Sequence, residues 1–135
     1  MVSEQQVQDT LARLKGLIGL QENLEKAFPF AQYNVFVLGS YITTGYIPGK
    51  SDVDIAVYTE DFDLYKKLSI MIEDWFTEQD ICCDIFYIDT TTPAPIYLAP
   101  LQSQIQHTDY IPEKLFQFQQ KCKKLLDEIK VRMAV

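Results

Sequence analysis

The segment VLGSYITTGYIPGKSDVDIAVY, residues 37–58, constrains the fold more than any other part of the chain. It begins inside an apolar run, NVFVL at 34–38, whose β-branched and aromatic residues suit a buried strand. Gly39 and Ser40 end that run. The stretch 41–51 contains Gly45, Pro48 and Gly49 and reads as a loop. A second strand, DVDIAVY at 52–58, follows. Side chains alternate along a strand, so Asp52 and Asp54 share one face while Val53 and Ile55 take the other. Two neighbouring carboxylates repel each other and call for a cation, a shared proton or a basic partner. No arginine is near in sequence, and oxygen-only ligands suit a hard cation such as Mg2+.

The rest of the chain alternates between helical and extended patterns. Val7, Leu11, Leu14, Ile18 and Leu24 keep helical spacing and predict a helix over 3–28. Ser3 with Gln6 three residues on makes a capping box, and Gly16 and Gly19 predict a bend. A second helix is expected over 62–77, from Leu64, Leu68, Met71, Ile72 and Trp75. The run ICCDIFYI at 81–88 reads as a third strand with Asp84 in its middle, where a charge is costly without a partner. A Thr/Pro turn is expected at 90–95 and a short helix at 96–105. A final helix follows over about 112–133, with Pro112 at its first position and a stripe of Leu115, Phe116, Cys122, Leu125, Leu126 and Ile129. This order predicts an α/β (α+β) fold in which helices flank a small mixed β-sheet. At 135 residues the chain fits a single domain, 1–135.

Composition narrows the function classes. The net charge of −7 opposes non-specific nucleic-acid binding, which needs many cationic contacts to phosphate. The densest basic cluster, Lys121, Lys123 and Lys124, reads as a solvated helix face. The three cysteines, Cys82, Cys83 and Cys122, have neither a disulfide nor a zinc spacing and read as buried thiols. His107 is the one histidine, read as a surface or loop residue, so a His-based metal site or triad has no support. No apolar run approaches the roughly 18 residues of a membrane span. The polar N-terminal stretch lacks a signal pattern, so the expected location is the cytoplasm, with no membrane partner.

The Gly39-Ser40 turn complements the carboxylates. Gly39 lets backbone approach a phosphate closely. A helical turn starting at Ser40 would offer free N–H groups to an anion, and its hydroxyl adds a hydrogen bond. A third strand pairing beside Asp52 and Asp54 would bring Asp84 into a three-carboxylate cluster. Such a cluster can hold two metals roughly 3.5–4 Å apart across an in-line displacement. Each part alone is ordinary, since a glycine after a strand is usually a turn and exposed strands often carry carboxylates. The combination is not.

This combination resembles the DNA polymerase β-type nucleotidyltransferase superfamily, and within it the minimal nucleotidyltransferases of the MNT antitoxin type. The shared pattern is a hydrophobic strand, Gly-Ser, a spacer of about ten residues and Asp-x-Asp, here Gly39-Ser40, 41–51 and Asp52-Val53-Asp54. Asp84 matches the third carboxylate, and 89–95 the polar-Pro turn that follows it. The likeness covers roughly 34–110. It implies a polymerase β palm-like fold and transfer of a nucleoside monophosphate from an NTP, AMP from ATP, to an acceptor hydroxyl. Asp52, Asp54 and Asp84 would bind Mg2+ in a two-metal site and carry catalysis. Gly39 and Ser40, with Lys50 and Ser51 at the end of the spacer, would hold the polyphosphate. It also suggests a HEPN-type toxin as the protein acceptor. Where many relatives carry arginines after Gly-Ser, this chain has Tyr41, Ile42, Thr43 and Thr44. Two alternatives therefore stay open: a degenerate module acting by protein binding, and a small-molecule nucleotidyltransferase whose acceptor pocket a homo-oligomer completes.

Overall fold

The computed structural model describes residues 1–91, 93 and 112–133. The short helix expected at 96–105, most of the Thr/Pro turn and His107 lie outside them. Helix α1 spans Glu4–Ala27, strand β1 Asn34–Leu38, a 3₁₀ turn Gly39–Ile42, β2 Val53–Tyr58, α2 Phe62–Thr77, β3 Cys83–Tyr87 and α3 Glu113–Met133. Strand β2 lies between its neighbours, antiparallel to β1 and parallel to β3. The described residues thus form the expected α+β arrangement, a small mixed sheet with helices.

The capping box closes the start of α1. The Gln6 amide donates to Ser3 Oγ at 3.1 Å and the Ser3 amide to Gln6 Oε1 at 2.7 Å. The expected bend is absent, because α1 runs unbroken through Gly16 and Gly19. A Cβ on Gly19 would stand 3.1 Å from the Trp75 ring, so this glycine lets α1 and α2 close on each other. The inward stripe also differs from expectation. Thr10, Leu17, Leu20 and Leu24 are buried, with half-buried Arg13 in the same row, while Val7, Leu11, Leu14 and Ile18 are exposed. Two rows at helical spacing run side by side on α1. Contact with the 3₁₀ turn and α2 selects the row containing Arg13.

Strand alternation gives the sheet two covered faces. Val35, Val37, Val53, Ile55 and Val57 pack with Leu17, Leu20 and Leu24 of α1 and Leu68, Ile72 and Phe76 of α2. Phe36, Ala56 and Tyr58 face the other way, against Leu115, Phe118 and Cys122 of α3. Phe118, not Phe116, fills the α3 stripe, and Phe116 is exposed. The spacing Leu115, Phe118, Cys122 keeps one helix face, and Phe116 falls about 100° from Leu115. Lys121, Lys123 and Lys124 are exposed, as a solvated face requires.

Two strand ends are shorter than expected. Pairing in β2 starts at Val53, whose amide donates to the Cys82 carbonyl at 2.9 Å, leaving Asp52 just outside. In β3 pairing starts at Cys83, because the Ile81 amide still closes the end of α2 on the Phe76 carbonyl and Asp80 turns the chain at φ 58°. The thiols also divide. Cys122 is buried, Cys83 is half-buried and Cys82 is exposed, and all three are free. Among the described residues no helix is long and apolar enough to cross a membrane.

Candidate active site

Pairing register builds the site. Asp54 lies opposite Leu38 of β1 and beside Asp84 of β3. Partners in register on neighbouring strands project to the same face, so the Asp54 and Asp84 carboxylates share the α3 side of the sheet. Asp52, two residues before Asp54, is exposed at the entry to β2. The proximity of all three carboxylates registers on Asp54. Its carboxyl is raised above the ordinary range, first by burial, then by the charges of Asp84 and Asp52. The costly carboxylate is therefore Asp54. Asp84, in the middle of its strand as expected, is exposed, and among the described residues that strand lies at the sheet edge.

The Gly39-Ser40 turn closes against this group. Gly39 has φ +79°, and a Cβ placed on it would lie 3.2 Å from Asp54 Oδ2. The positive φ favours glycine here, and the nearby Asp54 carboxylate would have to give way to a Cβ. Gly39→Ala should lower stability by about 1–2 kcal/mol through left-handed strain and push the Asp54 carboxylate aside. Urea unfolding of the variant checks this, and an unchanged midpoint would show that the turn tolerates a Cβ. The helical turn expected from Ser40 is present as the 3₁₀ turn Gly39–Ile42. The Ser40 carbonyl accepts from the Thr43 amide at 2.9 Å and from Thr43 Oγ1 at 2.8 Å.

The spacer divides in its roles. Tyr41 is buried, edge-on to Phe76 at 5.6 Å and to Tyr46 at 5.1 Å. Lys50 is exposed. Ser51 secures the last turn of the loop, its Oγ accepting from the Ile47 amide at 3.1 Å while its own amide donates to the Ile47 carbonyl at 2.9 Å. One cation reaches the spacer from far away in sequence. Arg13 Nε donates to the Tyr41 carbonyl at 2.9 Å and Nη2 to the Thr43 carbonyl at 2.8 Å. Sequence reasoning passed over Arg13 by choosing the neighbouring stripe of α1. An arginine in the row of Thr10, Leu17, Leu20 and Leu24 was the available signal.

Cys83 is no nucleophile. Burial, with Asp84, Glu73 and Asp54 behind it, pushes its thiol up to about 12, so the reactive thiolate is absent at neutral pH. Among the described residues no three His, Cys, Asp or Glu side chains are gathered into a ready metal-ligand set. Mutual repulsion works against such gathering in carboxylates alone. The donors nonetheless fit a divalent cation chemically. They are hard oxygens suited to Mg2+, and a cation beside Asp54 would relieve the burial and charge that raise its pKa.

A strand, a Gly-Ser turn and two carboxylates in register across the next two strands point to phosphate chemistry, and comparison with known families agrees. The nucleotidyltransferase domain family matches residues 17–131. The chain belongs to that family. The match takes in α1 from Leu17, all three strands and nearly all of α3, so every candidate residue from Gly39 to Asp84 lies within it. A search against curated proteins found no match. Membership supports nucleotidyl transfer in general, and with it an NTP substrate and the divalent metal that the family generally uses.

Proposed function

We propose that this nucleotidyltransferase moves AMP from ATP to a hydroxyl on a separate protein, with release of pyrophosphate. The observation that best supports a working site is the register of Asp54 beside Asp84, closed on the β1 side by Gly39. Asp52, Asp54 and Asp84 would hold Mg2+, which when bound neutralises phosphate charge and orients the displacement. Ser40 and the backbone of the 3₁₀ turn hold the phosphates, with Lys50 at the end of the spacer. Asp84 stands on the side of Asp54 away from the Gly-Ser turn, exposed on the α3 side of the sheet. The acceptor hydroxyl arrives from there. Its oxygen bonds to the α-phosphorus as the bond to the bridging oxygen breaks, and its proton passes to the Asp84 carboxylate. Positioning and charge neutralisation supply the rate.

The acceptor we propose is a tyrosine of a HEPN-type toxin. Incubation with the product of the neighbouring gene, ATP and Mg2+ tests this. A mass gain of one adenylyl group on the partner is expected, lost when Mg2+ is chelated. No gain with an active enzyme preparation would reject this acceptor.

A second reading is favoured by one observation. Tyr41, where many relatives carry arginine, is buried against Phe76, and Ile42 and Thr43 add no charge. A degenerate site acting only as a protein-binding module would then show no Mg2+-dependent ATP binding in calorimetry. The active reading requires such binding.

A further inference from the structure

The loop between Ser40 and Asp52 joins the two halves of the site, yet its underside is not packed solid. Tyr41, Tyr46 and Gly49 border a cavity of about 560 Å3 that also meets Arg13 of α1 and Ile81 beyond α2. Polar contacts take over where packing stops. The Arg13 guanidinium bridges the carbonyls of Tyr41 and Thr43 at 2.9 and 2.8 Å. It lies 4.7 Å from the Tyr46 ring centroid and 5.7 Å from that of Tyr41. Thr10 steadies it from behind. Arg13 Nη2 donates to Thr10 Oγ1 at 3.1 Å, and that hydroxyl donates to the Gln6 carbonyl at 2.7 Å. From the loop side, Thr43 passes the constraint on to Ser40 through its amide and its hydroxyl. Among the described residues no carboxylate forms an ion pair with Arg13, so its charge is spent on carbonyls and rings of this one loop. Charge-assisted bonds of this kind are stronger than neutral ones, and a planar fork can hold two acceptors at once.

We infer that Arg13 is a positioning residue for nucleotide binding: from α1 it fixes the 40–46 loop and through Thr43 sets Ser40 against the phosphates. This rests on the reading of Gly39-Ser40 as the phosphate grip. It also explains how a turn without arginines of its own keeps its shape, since the guanidinium comes from α1 and acts on the backbone.

Calorimetric titration with ATP in Mg2+ tests the inference without needing an acceptor, beside hydrogen exchange at the Thr43 and Gly45 amides. Arg13→Gln should weaken ATP about tenfold, equivalent to about 1.4 kcal/mol, and speed exchange at both amides. Arg13→Lys keeps the charge but lacks the planar fork whose two nitrogens reach the two carbonyls, so it should weaken ATP in the same direction as Arg13→Gln. Thr10→Val, which removes only the support behind the guanidinium, should give a smaller shift in the same direction. Wild-type affinity in Arg13→Gln or Arg13→Lys overturns the inference, as does unchanged exchange at Thr43 and Gly45. A lower unfolding temperature with unaltered affinity also overturns it, leaving a merely structural arginine. If the wild-type chain itself binds no ATP in Mg2+, the phosphate-grip reading has failed, and the inference falls with it. The wild-type titration thus separates the two failures.

Discussion

Asp54→Asn is expected to abolish nucleotidyl transfer and at the same time to raise the unfolding temperature at neutral pH. The loss follows from removing the carboxylate nearest the centre of the site, between Asp52 and Asp84 and against Gly39. Metal-assisted charge stabilisation is worth several kcal/mol in a transition state, which corresponds to about a thousandfold or more in rate. The stability gain follows from the same surroundings. Burial, then Asp84, then Asp52 raise the Asp54 carboxyl above its ordinary value. A carboxyl raised in the folded state is most favourable when protonated. Its contribution is complete below the ordinary carboxylate range and is lost as pH rises through its folded pKa. At pH 7 the bare charge therefore opposes folding, and asparagine removes it. The advantage of the variant should shrink as pH falls into the carboxylate range, and saturating Mg2+ should stabilise the wild type more than the variant. Transfer assays and thermal unfolding across pH check both halves. Full activity in Asp54→Asn rejects the metal assignment. An unfolding temperature no higher than that of the wild type at pH 7 rejects the electrostatic account.

The placement of the candidate residues was largely legible in the sequence because it depends on short-range rules. Strand alternation assigns Asp52 and Asp54 to one face, and a glycine at the end of a strand announces a turn with unusual backbone freedom. The match of Asp84 to Asp54 was an expectation that only strand pairing could settle, since register is a property of two strands and not of one. Helix limits were similarly legible where caps are local, as with Ser3 and Gln6; at the start of α2 the structure adds Asp61, whose Oδ1 accepts the Asp63 and Leu64 amides. What the sequence concealed was tertiary selection. On α1, Val7-Leu11-Leu14-Ile18 is the more hydrophobic row, yet the row with Thr10 and Arg13 is the buried one. Its polar members meet the spacer backbone, a demand that hydrophobic spacing does not encode. On α3 the choice between Phe116 and Phe118 turned on the sheet face formed by Phe36, Ala56 and Tyr58. The exposure of Asp84 could not be read from its apolar flanks, because it follows from β3 pairing only with β2 among the described residues.

Phe76→Ala is the second substitution with a large expected effect, and it joins the core to the site. Phe76 is fully buried near the end of α2, among the side chains between the sheet and the two N-terminal helices. Truncating such a ring typically costs about 3–5 kcal/mol, from lost transfer energy plus the cavity left behind. That is a large share of a total stability of about 5–15 kcal/mol. The ring also supports Tyr41 edge-on at 5.6 Å, and Tyr41 is the residue whose carbonyl Arg13 holds. A void under Tyr41 should therefore loosen the spacer as well as the core. Leu24→Ala supplies the comparison. Leu24 is equally buried, and its loss should cost about 2–5 kcal/mol. It lies eleven residues along α1 from Arg13, about 16 Å at helical rise. Urea unfolding should show a comparable drop in both variants, while calorimetry below the unfolding transition should show weakened ATP binding in Phe76→Ala alone. Equal weakening in both would mean that the site responds to overall stability. A loss of under about 1 kcal/mol in Phe76→Ala, well short of the cavity range, would mean that the ring is not packed as the core requires.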